Sequence, residues 1–315
     1  MNMNEIENLV VTGSTIAYIV VILAEIIFSF IHEKRYYTLG DTFTNVYLTT
    51  LNLLVDFGLR GLVALILAFF CRFSFYTWES TGWAYWTLLF IAEDFVFYWL
   101  HRVDHTCRLF WAVHVTHHSS PLFNLTTGFR SSVFQPVYRF FYFIPLALMG
   151  FNVFDIFLMF SITQIYGILV HTRTVDKLGF LEYILITPSH HRVHHASNVP
   201  YLDKNLGMVL IFWDKLFGTF QAERDDIPLE YGLYKKKMPE GAVDIVFHEF
   251  QSIGKDLKRP LPWRLKLKYL LMPPGWSHDG STLTSAQLRD LGEHADKDAS
   301  IEDIPSSSQE VLAQA

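Results

Sequence analysis

The sequence predicts an all-α fold: a multi-pass membrane helical bundle of about four to five spanning or hairpin helices, with a histidine-rich cap on the cytosolic side. Three observations lead there. The 315-residue chain is 51% hydrophobic and only 18% charged. Its apolar residues gather in runs long enough to cross a hydrocarbon core. Eight of its 14 histidines fall in three short clusters that follow those runs.

Taken in order, the first run is Ser14 to Ile31, read as the transmembrane helix of an N-terminal segment, residues 1–40. It is not expected to be a cleaved signal peptide. Glu5 and Glu7 stand where a positive n-region belongs, and no small-residue cleavage site follows. A second run lies within Leu51 to Phe70 and a third is Trp83 to Leu100. Two more fall between Phe134 and Val170 and are broken around Gly150-Phe151-Asn152, the pattern of a helical hairpin. Any one run could be a buried helix of a soluble protein. Five of them, with aromatic girdles such as Trp83, Trp86, Tyr98 and Trp99, favour a membrane.

Lysine and arginine positions set the orientation. Lys34 and Arg35 place the end of the first run in the cytosol. Counting passes puts His101, at the end of the third run, on the same side, where Arg102, Arg108 and Arg130 gather. The hairpin returns there at His171; Arg60 and Arg72 are the exceptions. Residues 41–276 read as one membrane domain holding all three clusters. Residues 277–315 are polar and acidic, and are expected to be a disordered tail. The net charge of −6 and the lack of any nucleic-acid motif exclude nucleic acid as a partner. Lys235-Lys236-Lys237 and the Lys255–Lys268 stretch fit either anionic headgroups or a solvated face.

The clusters are H-R-V-D-H (His101, His105), H-V-T-H-H (His114, His117, His118) and H-R-V-H-H (His191, His194, His195). Imidazole, neutral near pH 7, suits iron, zinc and copper. His101 and His105 are four apart and share one helical face. In the other two clusters the adjacent rings splay toward different metals. Cys71 and Cys107 are the only cysteines, which argues against iron–sulfur and cysteine zinc sites. Eight imidazoles match two four-coordinate metals and exceed one catalytic zinc. No H-E-x-x-H supplies a general base, which weakens the case for a metal-dependent hydrolase. A metal transporter would place histidines inside the spans rather than beyond their ends. A two-metal site bound by neutral histidines can hold ferrous iron and activate dioxygen beside the bilayer, where a lipid can reach it, but the spacing alone does not name the metal.

His171 is a candidate ninth ligand. His190 is either a ligand or a residue that orients one, and His32, His248, His278 and His294 have no cluster logic. Asp94, seven residues before His101, either supports the site or pairs with another helix, and Glu93 beside it is equally costly in a membrane. Asp104 either orients a ring or faces water. The stretch with Gly207, Trp213, Asp214 and Gly218 reads as a cap over the site or against the membrane, and Asn198 and Asn205 as water-mediated supports.

The H-x3-H, H-x2-H-H, H-x2-H-H series resembles the fatty acid hydroxylase (sterol desaturase) superfamily of membrane diiron oxygenases. W-L-H-R-V-D-H, N-L-T-T-G-F-R, T-P-S-H-H-R-V-H-H and Y-L-D-K-N-L-G-M-V-L-I-F-W-D-K-L-F-G-T-F are similar to its alkylglycerol monooxygenase branch, over about Asp41 to Trp276. The resemblance implies that His101, His105, His114, His117, His118, His191, His194 and His195 bind metal, with His171 where a further ligand is expected. No catalytic residue beyond these ligands is implied. It implies two iron ions, dioxygen, a membrane lipid substrate and a separate electron donor, tetrahydrobiopterin or another reductant. Hydroxylation beside a glyceryl ether oxygen would then cleave the ether, and lipid or sterol desaturation is the alternative on the same metals. Pro121 departs from the branch, which usually carries a glutamate there.

Overall fold

A computed structural model describes residues 3–234 and 241–297 of the chain. Among these all regular structure is helical, apart from two isolated bridges, Leu185 with Leu210 and Ala196 with Tyr231. Lys235-Lys236-Lys237 lie outside the described residues, as do residues 298–315.

Helix α1 runs Met3–Ile31 and α2 Leu39–Cys71. Thr38 caps α2 by accepting the Asp41 N–H. Among the described residues, Thr12–Ile31 and Leu39–Cys71 are the two helices long and apolar enough to cross a membrane. Both leave large apolar side chains uncovered, Phe57 at 81% and Leu65 at 71% exposure among them. Surfaces of that kind match acyl chains better than water. At 33 residues, α2 is about 50 Å long, longer than the hydrocarbon core. Its N-terminal half therefore reaches the histidine layer while Val63 and Leu67 pack at the far end.

Helix α3, Trp83–Thr106, contains the third expected span. Its second half, from Glu93 on, is largely enclosed by protein, whereas Trp83, Leu88 and Ile91 near its start are exposed, and two carboxylates and its Trp and Tyr residues dilute the apolar run. Glu93 and Asp94 are fully buried there. The expected hairpin is present as α5, Pro136–Leu148, and α6, Val153–Leu169, but with 13 and 17 residues both are short for a crossing. They pack on α2 and α3 through Leu89, Phe143, Leu146, Phe151 and Ile156.

The hairpin turn depends on Gly150, at φ +86°. A Cβ there would stand 2.1 Å from the Tyr76 carbonyl oxygen. Asn152 then starts α6 by accepting the Phe154 N–H. Gly150→Ala is expected to destabilise the fold by about 1–3 kcal/mol, seen as a lower thermal midpoint in detergent.

Beyond α3, the extended residue Cys107 turns the chain into α4, Arg108–His118. Helix α7, Pro188–His195, begins at Thr187 with proline in its first turn, and α8 is Phe212–Phe217. Helices α9, Asp244–Lys258, and α10, Trp263–Leu271, hold the Lys255–Lys268 stretch. Buried Arg108 ties α4 to α9 through Glu249 at 2.8 Å and Asp256 at 2.6 Å.

The tail expected to be disordered from Ser277 corrects in part. Residues Ser285–Lys297 form helix α11. Leu288 is buried, and Arg289 donates to the Leu202 carbonyl. An apolar side chain with a docking surface gives this segment the anchor that its charged composition hid.

Candidate metal centre

The clusters sit on elements that the fold forces together. His101 and His105 occupy the last turns of α3, while His114, His117 and His118 lie on α4. His171 follows α6, and His191, His194 and His195 lie on α7. They assemble into two groups. His101, His105, His114, His118 and His194 form one; His117, His171, His191 and His195 form the other. Within each group one nitrogen from every ring lies within 4.8 Å of those of the others. The adjacent pairs His117–His118 and His194–His195 divide between the groups, as their splayed directions on a helix require. The groups abut, with the His118 and His195 rings stacked at 4.5 Å.

His190 lies in neither group. It accepts the Thr187 N–H at the start of α7, and its other nitrogen faces Glu182 at 3.2 Å. His32 stacks on Phe28, His278 bonds to Tyr269 and His248 lies on α9, all outside the centre. The His294 side chain is outside the described residues.

The hydrogen bonds fix which nitrogen faces inward. Nδ1 of His101 donates to the Leu206 carbonyl at 2.8 Å, His117 to Arg130 at 3.0 Å, His171 to Gly167 at 2.7 Å and His194 to Lys204 at 2.9 Å. Nδ1 of His105 donates to the Asp203 carboxylate at 3.1 Å. A carbonyl only accepts, so the proton resides on Nδ1 and the Nε2 lone pair points into the centre.

Opposed lone pairs result. His117 Nε2 stands 3.4 Å from His171 Nε2 with no proton between them, and His101 Nε2 lies 3.1 Å from His114 Nε2. Nε2 of His105 and of His194 are buried with no partner. Protonation offers little relief. Burial first, and repulsion from neighbouring rings second, hold His114, His118 and His195 well below the usual imidazole range. Burial first, with lesser repulsion from His105 and the Arg130 guanidinium, outweighs the bond to the Arg130 carbonyl and lowers His117 to about 4. Converging neutral nitrogens in a buried pocket fit divalent first-row metal ions, which satisfy the lone pairs without adding protons.

Several supports were not legible in the sequence. Asp203 and Asn205 adopt left-handed conformations, φ +54° and +53°, which Asp and Asn tolerate better than most residues. This kink presents the Lys204 and Leu206 carbonyls and the Asp203 carboxylate to three histidines. The Asn205 amide donates to the His190 and Gln221 carbonyls, so it holds backbone directly rather than through water, and Asn198 does the same with Pro228. Asp203→Ala removes the His105 acceptor. It is expected to weaken metal binding in the five-histidine group about 10–100-fold, measured by chelator competition.

Asp94 supports the site by holding another segment. It accepts from the Val209 and Leu210 N–H groups and from Trp213 Nε1. Asp214 accepts from the Leu206 and Gly207 N–H groups. Together they pin the expected cap, whose Leu206 carbonyl meets His101. Asp104 faces protein: it accepts from Gln135 and Tyr138, 3.7 Å from His114 Nδ1. Arg130, counted in the sequence only as a positive charge, is fully buried and binds the Thr116 carbonyl, Ser119, Asp41 and Asn45. Pro121 lies on an exposed bend beside this network.

Two cavities meet the histidines from different elements. One, of about 110 Å³, is walled by α2, α3, α5 and α6 and touches His101, His114, His117, His171 and His191. The other, of about 150 Å³, touches His105, His118, His194 and His195 and is bounded by Trp111, Tyr234 and Leu288.

Residues 86–219 match the fatty acid hydroxylase family. The chain is 40% identical to alkylglycerol monooxygenase from Homo sapiens over 200 residues, covering 63% of this chain and 44% of that protein. The Caenorhabditis elegans alkylglycerol monooxygenase is 34% identical over 281 residues, covering 82% and 53%. Ornithine lipid hydroxylase OlsE from Rhizobium tropici is 33% identical over 135 residues, covering 41% and 40%. The chain thus spans about half the length of the curated relatives it matches. No solved structure gives a significant match.

Proposed function

We propose that this chain, whose residues 86–219 match the fatty acid hydroxylase family, is a membrane monooxygenase that inserts one atom of dioxygen into a C–H bond of a lipid. The observation that carries the reading is the convergence of nine imidazoles, eight buried and His117 half-buried, with ring nitrogens facing one another and the Nε2 atoms of His105 and His194 without a partner. His101, His105, His114, His118 and His194 hold one iron in this reading, and His117, His171, His191 and His195 the second. When bound, iron supplies the dioxygen chemistry, and the second oxygen atom leaves as water with two electrons and two protons from a separate reductant.

The protein's part is positional. Asp203 and the carbonyls of Leu206, Arg130, Gly167 and Lys204 orient the rings. The bundle keeps water away, and the cavity among α2, α3, α5 and α6 admits the lipid. Helices α1 and α2 span the bilayer, α3 and the α5–α6 hairpin complete a multi-pass bundle, and the histidine layer faces the cytosol beside Lys34 and Arg35. Two kinds of relative bear the names of lipid-oxidising enzymes. On that ground an ether lipid is the first substrate to try, with tetrahydrobiopterin or another electron donor as reductant. Hydroxylation beside the ether oxygen gives a hemiacetal that collapses to an aldehyde and a glycerol derivative.

Elemental analysis and Mössbauer spectroscopy of the detergent-purified protein test the reading. About two irons per chain, responding to dioxygen, with aldehyde formed from an alkylglycerol, would support it. An unsaturated product would replace hydroxylation by desaturation. Protein that stays iron-free in iron-replete cells would overturn the oxygenase reading.

A further inference from the structure

The cavity among the membrane-side helices is not uniformly apolar. Asn52, Gln135, Arg139 and Gln164 share its wall with the histidines. Three of these polar side chains are already engaged. Asn52 donates to the Ser132 carbonyl at 2.8 Å, Gln135 to Asp104 at 2.8 Å, and Arg139 to Asp56 at 2.5 Å. Gln164 is different: its amide nitrogen is buried and has no partner. A buried amide donor without an acceptor is costly, and a native fold tends to keep one only where something else supplies the oxygen.

Its position is informative. Gln164, Gly167 and Ile168 lie on one face of α6, and with His171 just beyond its end they line the cavity. Seven positions, mostly helical, separate Gln164 from His171, about 10 Å along the chain. On the far side of Arg139 a further cavity of about 80 Å³ runs over Phe143, Phe157 and Phe160, between α2, α5 and α6. The arrangement is therefore a histidine layer, then a polar layer with one free donor among the described residues, then a cavity with a phenylalanine wall on one side and the Arg139–Asp56–Arg60 ion pairs on the other.

We propose that Gln164 is a substrate-binding residue whose amide donates a hydrogen bond to an oxygen of the lipid, so that the chain selects oxygen-bearing lipids and oxidises them near their polar end. This rests on the reading of the histidines as a lipid-oxidising centre. The apolar tail leaves over the three phenylalanines. Gln164 stands about 10 Å along the chain from His171, so an oxygen held there keeps the polar end of the lipid near the histidines, which disfavours oxidation far down an acyl chain. Selection follows because a lipid lacking that oxygen leaves the buried amide unpaired.

The experiment compares two probes, an alkylglycerol and an alkane of equal length. Each is measured by displacement of a fluorescent lipid from the iron-loaded, full-length protein, without reductant. The wild type is expected to prefer the alkylglycerol, and Gln164→Leu to shrink that preference about 10- to 100-fold. Comparing the preference in the two proteins cancels detergent partitioning. Gln164→Asn, which keeps the donor on a shorter arm, guards against misfolding, with iron content measured for both variants. A preference that survives in Gln164→Leu of normal iron content overturns the proposal, and so does a wild type that binds both probes alike. Oxygen-selective binding without turnover would instead defeat the monooxygenase reading and leave the role of Gln164 standing. Turnover with an unaltered preference in Gln164→Leu would do the reverse.

Discussion

His117→Ala and His194→Ala are each expected to abolish dioxygen-dependent lipid oxidation and to lower iron content from about two per chain toward one or fewer. The two belong to different groups, so the comparison is informative. Losing His194 leaves four rings in the larger group, whereas losing His117 leaves three in the smaller. His117→Ala should therefore shed its metal more completely, measured by elemental analysis after matched purification. Both variants should retain the fold, since removing one of several crowded neutral nitrogens relieves repulsion in the metal-free protein. Normal iron in both variants would sink the assignment of two groups.

Arg130→Ala should have the largest effect on stability. Arg130 is 2% exposed and joins α2 to the end of α4 through Asp41, Asn45, Ser119 and the Thr116 carbonyl. Removing it leaves the Asp41 carboxylate, itself only 9% exposed, without its cation. Breaking a buried pair from one side typically costs about 3–5 kcal/mol. The Arg130 carbonyl also receives the His117 N–H, so the smaller histidine group should loosen at the same time. A large drop in thermal midpoint, together with faster iron loss from the smaller group, is the expected result. Arg130→Lys should rescue little, because one ammonium cannot reach four acceptors in a planar fork.

The histidines were legible because ligand chemistry and helical spacing both act over short stretches of chain. Residues three and four apart share a face whatever the rest of the fold does, and that is enough to place His101 with His105 and to split His117 from His118. His171 and His190 show where this stops. Neither has a cluster of its own, and only packing of the end of α6 against α7 brings one ring into the centre while Glu182 and Thr187 hold the other outside it. The apolar runs predicted helices correctly, yet treating each run as a span overlooked that α3, diluted by carboxylates and aromatic residues, is less apolar than α2. Glu93 and Asp94 were the hint, since carboxylates are rare where a helix meets acyl chains. Arg130 and Asp203 act through contacts with residues far from them in sequence, a relation that no local pattern encodes.

Four of the histidines hand their Nδ1 protons to main-chain carbonyls. No substitution can delete a carbonyl; it can only be displaced. The support of those rings is thus not carried by the side chains of Leu206, Lys204 and Gly167, although Leu206 is buried core and a Cβ at Gly167 would stand 2.4 Å from Met208 Sδ. Sensitivity is transferred to remote anchors such as Asp94 and Asp214, whose carboxylates hold the backbone of residues 206–210 in place. A saturation screen for inactive, well-folded variants should therefore return a split map: hits at the rings, hits again at buried acids up to two helical turns away, and relative silence between.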